Sequence, residues 1–141
     1  MNPKKPRQPC PICTKPVENL RSRFCSNQCQ MDAQYRDYIQ KWKAGTVTGN
    51  RCAEGIQLSG HIRRYLVEKR GERCQTCGWG KRNESSGRVP LTVSHIDGDW
   101  RRTTEDNLEL LCPNCHSLTP TYGSLNTGRG RPHRPRWPTG Q

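Results

Sequence analysis

Two histidines, His95 and His116, bracket a short segment, V-S-H-I-D-G-D-W-R-R-T-T-E-D-N-L-E-L-L-C-P-N-C-H (93–116), whose end also carries Cys112 and Cys115. An earlier pair, Cys74 and Cys77, has the same CxxC spacing. Two such pairs supply four thiolates, the ligand set of one closed structural zinc site. An ion held there would clamp the two halves of the region, so that His95 and His116 could face one another across a short hairpin. Imidazoles accept protons near neutral pH, which suits a site for chemistry as well as a staple.

The elements around this segment have to aim the two rings. Leu91 and Val93 share one face of L-T-V-S-H-I, a half-buried strand pattern. The loop D-G-D-W-R-R-T-T-E-D-N leads to a second strand, L-E-L-L, and C-P-N-C-H opens a helix running toward Thr119. Strand, loop, strand and helix, with zinc joining the knuckle to the helix start, make a ββα unit.

Composition sets the outer bounds. The chain has 141 residues, of which 30% are hydrophobic, with a single Phe. So small an apolar content cannot hold the fold by its core alone, and the nine cysteines supply the staples. The first nine residues carry no apolar run and no stretch reaches membrane-spanning length, so the chain is expected to be cytoplasmic, neither secreted nor membrane-bound. Paired cysteines in such a chain point to metal rather than disulfides. Twenty-four Lys and Arg against 12 Asp and Glu give a net charge of +12, spread over the whole chain. A field of that sign favours a polyanion, and nucleic acid is the expected partner.

A second cysteine set lies near the N-terminus. Cys10 and Cys13, with Cys25 and Cys29, form a plausible second four-cysteine zinc site, the latter two spaced one helical turn apart. A helix is expected from Asn27 to Lys43, its Met31, Tyr35, Tyr38, Ile39 and Trp42 stripe packing into the core. Gly45 ends it. Residues 45–58 read as a Gly-punctuated linker, in which Cys52, the ninth cysteine, has no partner at ligand spacing. Ser59 suits the N-cap of a basic helix over 60–69 that buries Ile62, Leu66 and Tyr65. Its His61 reads as a surface residue or phosphate contact. Residues 1–8 and 123–141 read as disordered, the latter a tail dense in Gly, Pro and Arg. The organisation is thus a basic N-terminus (1–8), a knuckle with helix (9–44), a linker (45–58), a basic helix (59–72), the ββα domain (73–122) and the tail (123–141).

The segment 73–122 resembles the HNH, or His-Me finger, nucleases in the form that carries a four-cysteine zinc site, as found in small phage endonucleases. The resemblance rests on G-W-G at 78–80, H-I-D-G-D at 95–99, N-L at 107–108 and L-C-P-N-C-H-S-L-T-P-T-Y at 111–122, in register with both Cys pairs. The knuckle, the helix and its W-K-A-G ending at 42–45 are similar to those proteins as well. The resemblance implies a small, zinc-stabilised α+β fold: a ββα-metal finger preceded by an N-terminal four-cysteine zinc knuckle and helices. It implies a phage-encoded endonuclease that hydrolyses DNA phosphodiesters in the host cytoplasm, with packaging or replication proteins of a phage as candidate partners. His95 would be the general base, Asn107 would orient the loop that aims it, and His116 would bind a catalytic Mg²⁺ or another divalent ion. Four thiolates close each zinc site, so both zincs would be structural.

One position departs from the pattern. The residue before the base is usually Asp or His, a second ligand of the catalytic ion, and here it is Ser94. A neutral hydroxyl is a poorer ligand than a carboxylate for a hard cation. Three readings follow: a weakly bound ion, compensation through water by Asp97 or Asp99, or an attenuated nuclease. The D-G pair favours a turn role for Asp97. Arg63, Arg64, Arg101, Arg102, Arg129 and Arg131 are the expected phosphate contacts. The alternative function is a catalytically weak or inactive zinc-dependent nucleic-acid-binding protein built on the same finger. It would account for the paired cysteines but not for His95, Asn107 and His116 at their offsets.

Overall fold

The computed structural model describes residues 7–19, 21–51, 57–126 and 128. Cys52, Arg129 and Arg131 lie outside the described residues, as does most of the tail.

The chain starts with a tight knuckle. Cys10 N–H donates to Lys15 O and Thr14 N–H to Cys10 O, so the C-P-I-C turn folds back on itself. Its sulfurs meet those of Cys25 and Cys29 over a small apolar cluster of Cys10, Val17 and Cys29, flanked by Ile12 and Phe24. Ser26 caps helix α1 (Asn27–Lys43) by accepting from Cys29 N–H, which fixes the helix start beside the cluster. Helix α2 (Gly60–Arg70) starts at Ser59, whose hydroxyl accepts from His61 N–H, and stops at Gly71, where φ is +83°.

Strands β1 (Thr92–His95) and β2 (Leu108–Leu111) pair antiparallel, with Ser94 opposite Glu109 and His95 opposite Leu108. Helix α3 (Pro113–Ser117) follows at once, and the three elements form the expected ββα unit. Leu108, Leu110 and Leu111 are all buried, because β2 is packed by both α2 and α3. The outer edge of β2 is closed by Gln75, whose side chain accepts from Leu110 N–H while its own N–H donates to Leu110 O. That bond pair puts the Cys74 knuckle beside the strand leading to Cys112.

The main core joins Tyr35, Ile39 and Trp42 of α1, Ile62 and Leu66 of α2, Val89, Leu91 and the β2 leucines. The fold is therefore small, α+β and stapled around two cysteine clusters, as expected. Four details differ. Met31 is 58% exposed and leaves the core stripe, because α1 is covered only on the side that meets α2. His61 is no free surface contact; its ring stacks against Tyr35 and Tyr38. The linker is packed within its described part: Gly49 and Asn50 are buried, and Asn50 bridges to Leu58. Order does not stop at residue 122, since Gly123–Asn126 forms a 3-10 turn and Asn126 is buried.

The basic helix α2 also uses its arginines inward. Arg63 donates to Leu91 O at 2.5 Å, and Arg70 to Leu108 O and Glu105 O. Arg64 sits over the Tyr35 ring and pairs with Asp32 and Glu68. Arg63 and Arg64, expected at phosphates, thus tie α2 to the residue before β1 and to α1. No helix among the described residues is long and apolar enough to cross a membrane.

Candidate active site

The two sulfur clusters come first, because they place everything else. In each, Cys10, Cys13, Cys25 and Cys29 or Cys74, Cys77, Cys112 and Cys115, the four sulfurs lie within 4.8 Å of one another. Burial works against ionising Cys74, but backbone N–H groups of Cys112, Cys77 and Thr76 point at its sulfur and draw its pKa down to about 6. Cys10 is drawn down to about 6 in the same way, against its burial, by N–H groups of Cys25, Cys13 and Ile12. Hydrogen bonding to Cys77 and Cys112 pushes Cys115 up to about 12, and bonding to Cys13 and Cys29 does the same for Cys25. Four sulfurs so close cannot all be thiolates without a cation between them. The donor set is that of a structural zinc.

Cys112 caps α3 by accepting from Cys115 N–H, and His116 follows in the same short helix. His95 ends β1. Both rings lie on one cleft of about 330 Å³, together with Val93, Ser94, Gly98, Trp100, Thr121, Tyr122, Gly123 and Asn126. The hairpin therefore brings His95, Ser94 and His116 to a common wall.

The loop between the strands is held by Asn107. Its side-chain oxygen accepts from Asp97 N–H at 3.1 Å, and its amide donates to Asp97 Oδ1 and Arg102 O, each at 2.8 Å. Asp97 in turn accepts from Asp99 N–H at 2.8 Å, which closes the D-G-D turn. Gly98 sits at φ +77°, and a Cβ there would collide with Asn126 Oδ1, so both conformation and space demand glycine. Arg101 grips Asp99 through Nε and a terminal nitrogen, holding that carboxyl down to about 2, and Arg102 reaches Asp97 at 2.5 Å. Asp97 is thus a turn residue, and both loop carboxylates are engaged with arginines. Arg101 and Arg102 are largely exposed, and water screens pairs of that kind so that they hold weakly. A phosphate can therefore compete for them.

His95 is partly buried, and burial moves its pKa below the ordinary imidazole value, with Asp97 and Asp99 pulling the other way. The net shift favours the neutral ring. Its Nε2 lies 3.0 Å from Thr103 Oγ1, a contact with no sequence signal. Ser94, only 6% exposed, lines the same cleft.

Three buried polar atoms of the cleft have no hydrogen-bond partner among the described residues: Trp100 Nε1, His116 Nδ1 and Asn126 Oδ1. Buried polar atoms are otherwise nearly always paired. An imidazole, a carboxamide oxygen and an indole N–H left unpaired around one cleft fit a cation and an anionic ligand. Trp100 and Asn126 are, with Thr103, the site residues that motif reading misses. Asn126 fell in the expected tail, and nothing in its spacing marks it.

Against known families, residues 74–119 match the HNH endonucleases. That segment, with the ββα unit and the cysteine cluster, belongs to the HNH endonuclease family. Among curated proteins, the chain is similar to the H-N-H endonuclease F-TflIV of Escherichia phage T5, at 34% identity over 97 residues. The alignment takes in 67% of this chain, which spans about 40% of that relative's length. No solved structure gives a significant match.

Asn107→Ala leaves Asp97 N–H and Arg102 O without partners. It should lower the unfolding free energy by about 1–3 kcal/mol in urea titrations, through unpaired buried groups. Amide exchange at Asp97 should rise far above that at the β2 leucines.

Proposed function

We propose that the protein is a divalent-metal-dependent endonuclease that hydrolyses DNA phosphodiester bonds. The observation that carries this reading is the convergence of His95, Ser94 and His116 on a cleft with three unpartnered buried polar atoms. The net charge of +12 supports a polyanionic substrate.

In this reading His95, whose burial favours the neutral ring, takes a proton from the attacking water as general base. Asn107 holds both ends of the loop that aims His95 and does not touch substrate. A divalent cation such as Mg²⁺, bound by His116 with Ser94 as a weak neighbour, would neutralise charge on the phosphate and the leaving oxygen. Arg101 and Arg102 exchange their loop carboxylates for backbone phosphates. Arg129 and Arg131 would add salt-dependent affinity from the tail. The two four-cysteine clusters carry structural zinc and take no part in the reaction.

The second reading, an HNH-derived protein that binds nucleic acid but cuts poorly, is favoured by one observation. A buried hydroxyl, Ser94, stands where the family's usual ligand is a carboxylate or imidazole.

Plasmid relaxation with Mg²⁺ or Mn²⁺ separates the two. Cleavage is expected, and His95→Ala should reduce it by roughly 10²-fold or more, as expected for a lost general base, with DNA binding in gel shifts retained. A chain that shifts DNA yet leaves it intact under every divalent metal loses the enzyme reading. Ser94→Asp should raise the rate and lower the metal concentration needed for half-maximal cleavage; an unchanged metal dependence would contradict the weak-ligand account. Elemental analysis should return close to two zincs per chain, and a chelator that strips them should abolish the cooperative unfolding transition.

A further inference from the structure

We infer that Thr103 is a positioning residue that fixes which nitrogen of His95 is free to take a proton, and that the N-terminal half of the chain holds Thr103 in place. The inference rests on the nuclease reading for its kinetic consequence, but not for its structural content.

Thr103 Oγ1 lies 3.0 Å from His95 Nε2, 3.0 Å from Trp100 O and 3.3 Å from Asn50 Oδ1. The hydroxyl has one proton to donate. Both oxygens facing it can only accept, so the proton goes to one of them and a lone pair is left toward the imidazole. His95 Nε2 must then carry the hydrogen, since a neutral imidazole has one N–H and one bare nitrogen. Nδ1 is left as the bare, basic nitrogen, and it has no hydrogen-bond partner among the described residues. The arrangement does for His95 what a carboxylate or backbone carbonyl does for other catalytic histidines: it selects the tautomer.

Thr103 has little freedom to do otherwise. It is 4% exposed, and its carbonyl accepts from the Trp42 indole N–H at 2.6 Å. Its methyl packs on Gly49, where a Cβ would come within 2.6 Å. Gly49 O accepts from Ser59 N–H, so the segment carrying Gly49 and Asn50 is itself anchored to the start of α2. Trp42 lies in the last turn of the helix that grows out of the first cysteine cluster. Two elements thus reach the general base through Thr103: α1, by way of Trp42, and the segment before α2, by way of Asn50.

The test is made on the full-length chain with ¹⁵N-labelled histidine. At neutral pH the His95 nitrogens should show Nε2 protonated and Nδ1 bare. Thr103→Val, which keeps the shape and removes the hydroxyl, should mix the tautomers and lower kcat by roughly 10-fold or more, a fraction of a general base's contribution. KM for DNA should not change. Thr103→Ser, which keeps the hydroxyl, should recover the tautomer and most of the rate. A wild-type His95 protonated at Nδ1, or a Thr103→Val chain with the tautomer unchanged, overturns the inference. The spectra need no substrate, so a chain that fails to cut would count against the nuclease reading alone while the tautomer still decides the role of Thr103.

Discussion

Everything at the cleft depends on four sulfurs being brought within 4.8 Å of one another. Cys74 and Cys77 come from a knuckle after α2, and Cys112 and Cys115 from the start of α3. Their convergence sets where β2 ends and α3 begins. His116 is the next residue, so its position follows directly from the cluster. Gln75 adds a second tie by closing the edge of β2. A sequence with so few apolar residues has a modest core, and its geometry is carried by these short cross-links.

A second constraint governs the other histidine. His95 leaves β1 into a loop whose two ends are joined by one buried side chain, Asn107, through three hydrogen bonds. The turn inside it needs glycine at position 98, and Asn126 closes over that glycine by donating to its carbonyl at 2.6 Å. The loop is therefore rigid at its base, while its arginines remain exposed at the rim. Rigid positioning of the ring combined with weakly paired surface cations is what a site for a polyanion requires.

The arginines show how far charge can be read without a fold. From the sequence, Arg63 and Arg64 look like phosphate contacts because they lie on a basic helix. In the structure Arg63 holds the chain just before β1 through Leu91 O, and Arg64 joins α1 to α2 through Asp32, Glu68 and Tyr35. Net charge is a sum over residues and can be read directly. Which cations are free depends on which carboxylates and carbonyls the fold brings near them, and that is a tertiary property. Helix periodicity had the same limit: it marked the α1 stripe well but counted Met31, which no neighbouring element covers.

By itself the sequence determined the cysteine clusters, the ββα order and both helix starts, and it singled out His95 and His116, which the fold brings to one cleft, and Asn107, which holds the loop between the strands. These follow from local spacing, capping chemistry and short-range turns, which a chain specifies within a few residues. Only the tertiary structure decided that Thr103, Trp100 and Asn126 belong to the site, that Asn50 and Trp42 stand behind it, and that Asp97 and Asp99 are engaged by arginines. Those contacts join residues up to 61 positions apart. No local pattern encodes such pairs, because they exist only once β2 is packed between α2 and α3 and the N-terminal helix is laid against them.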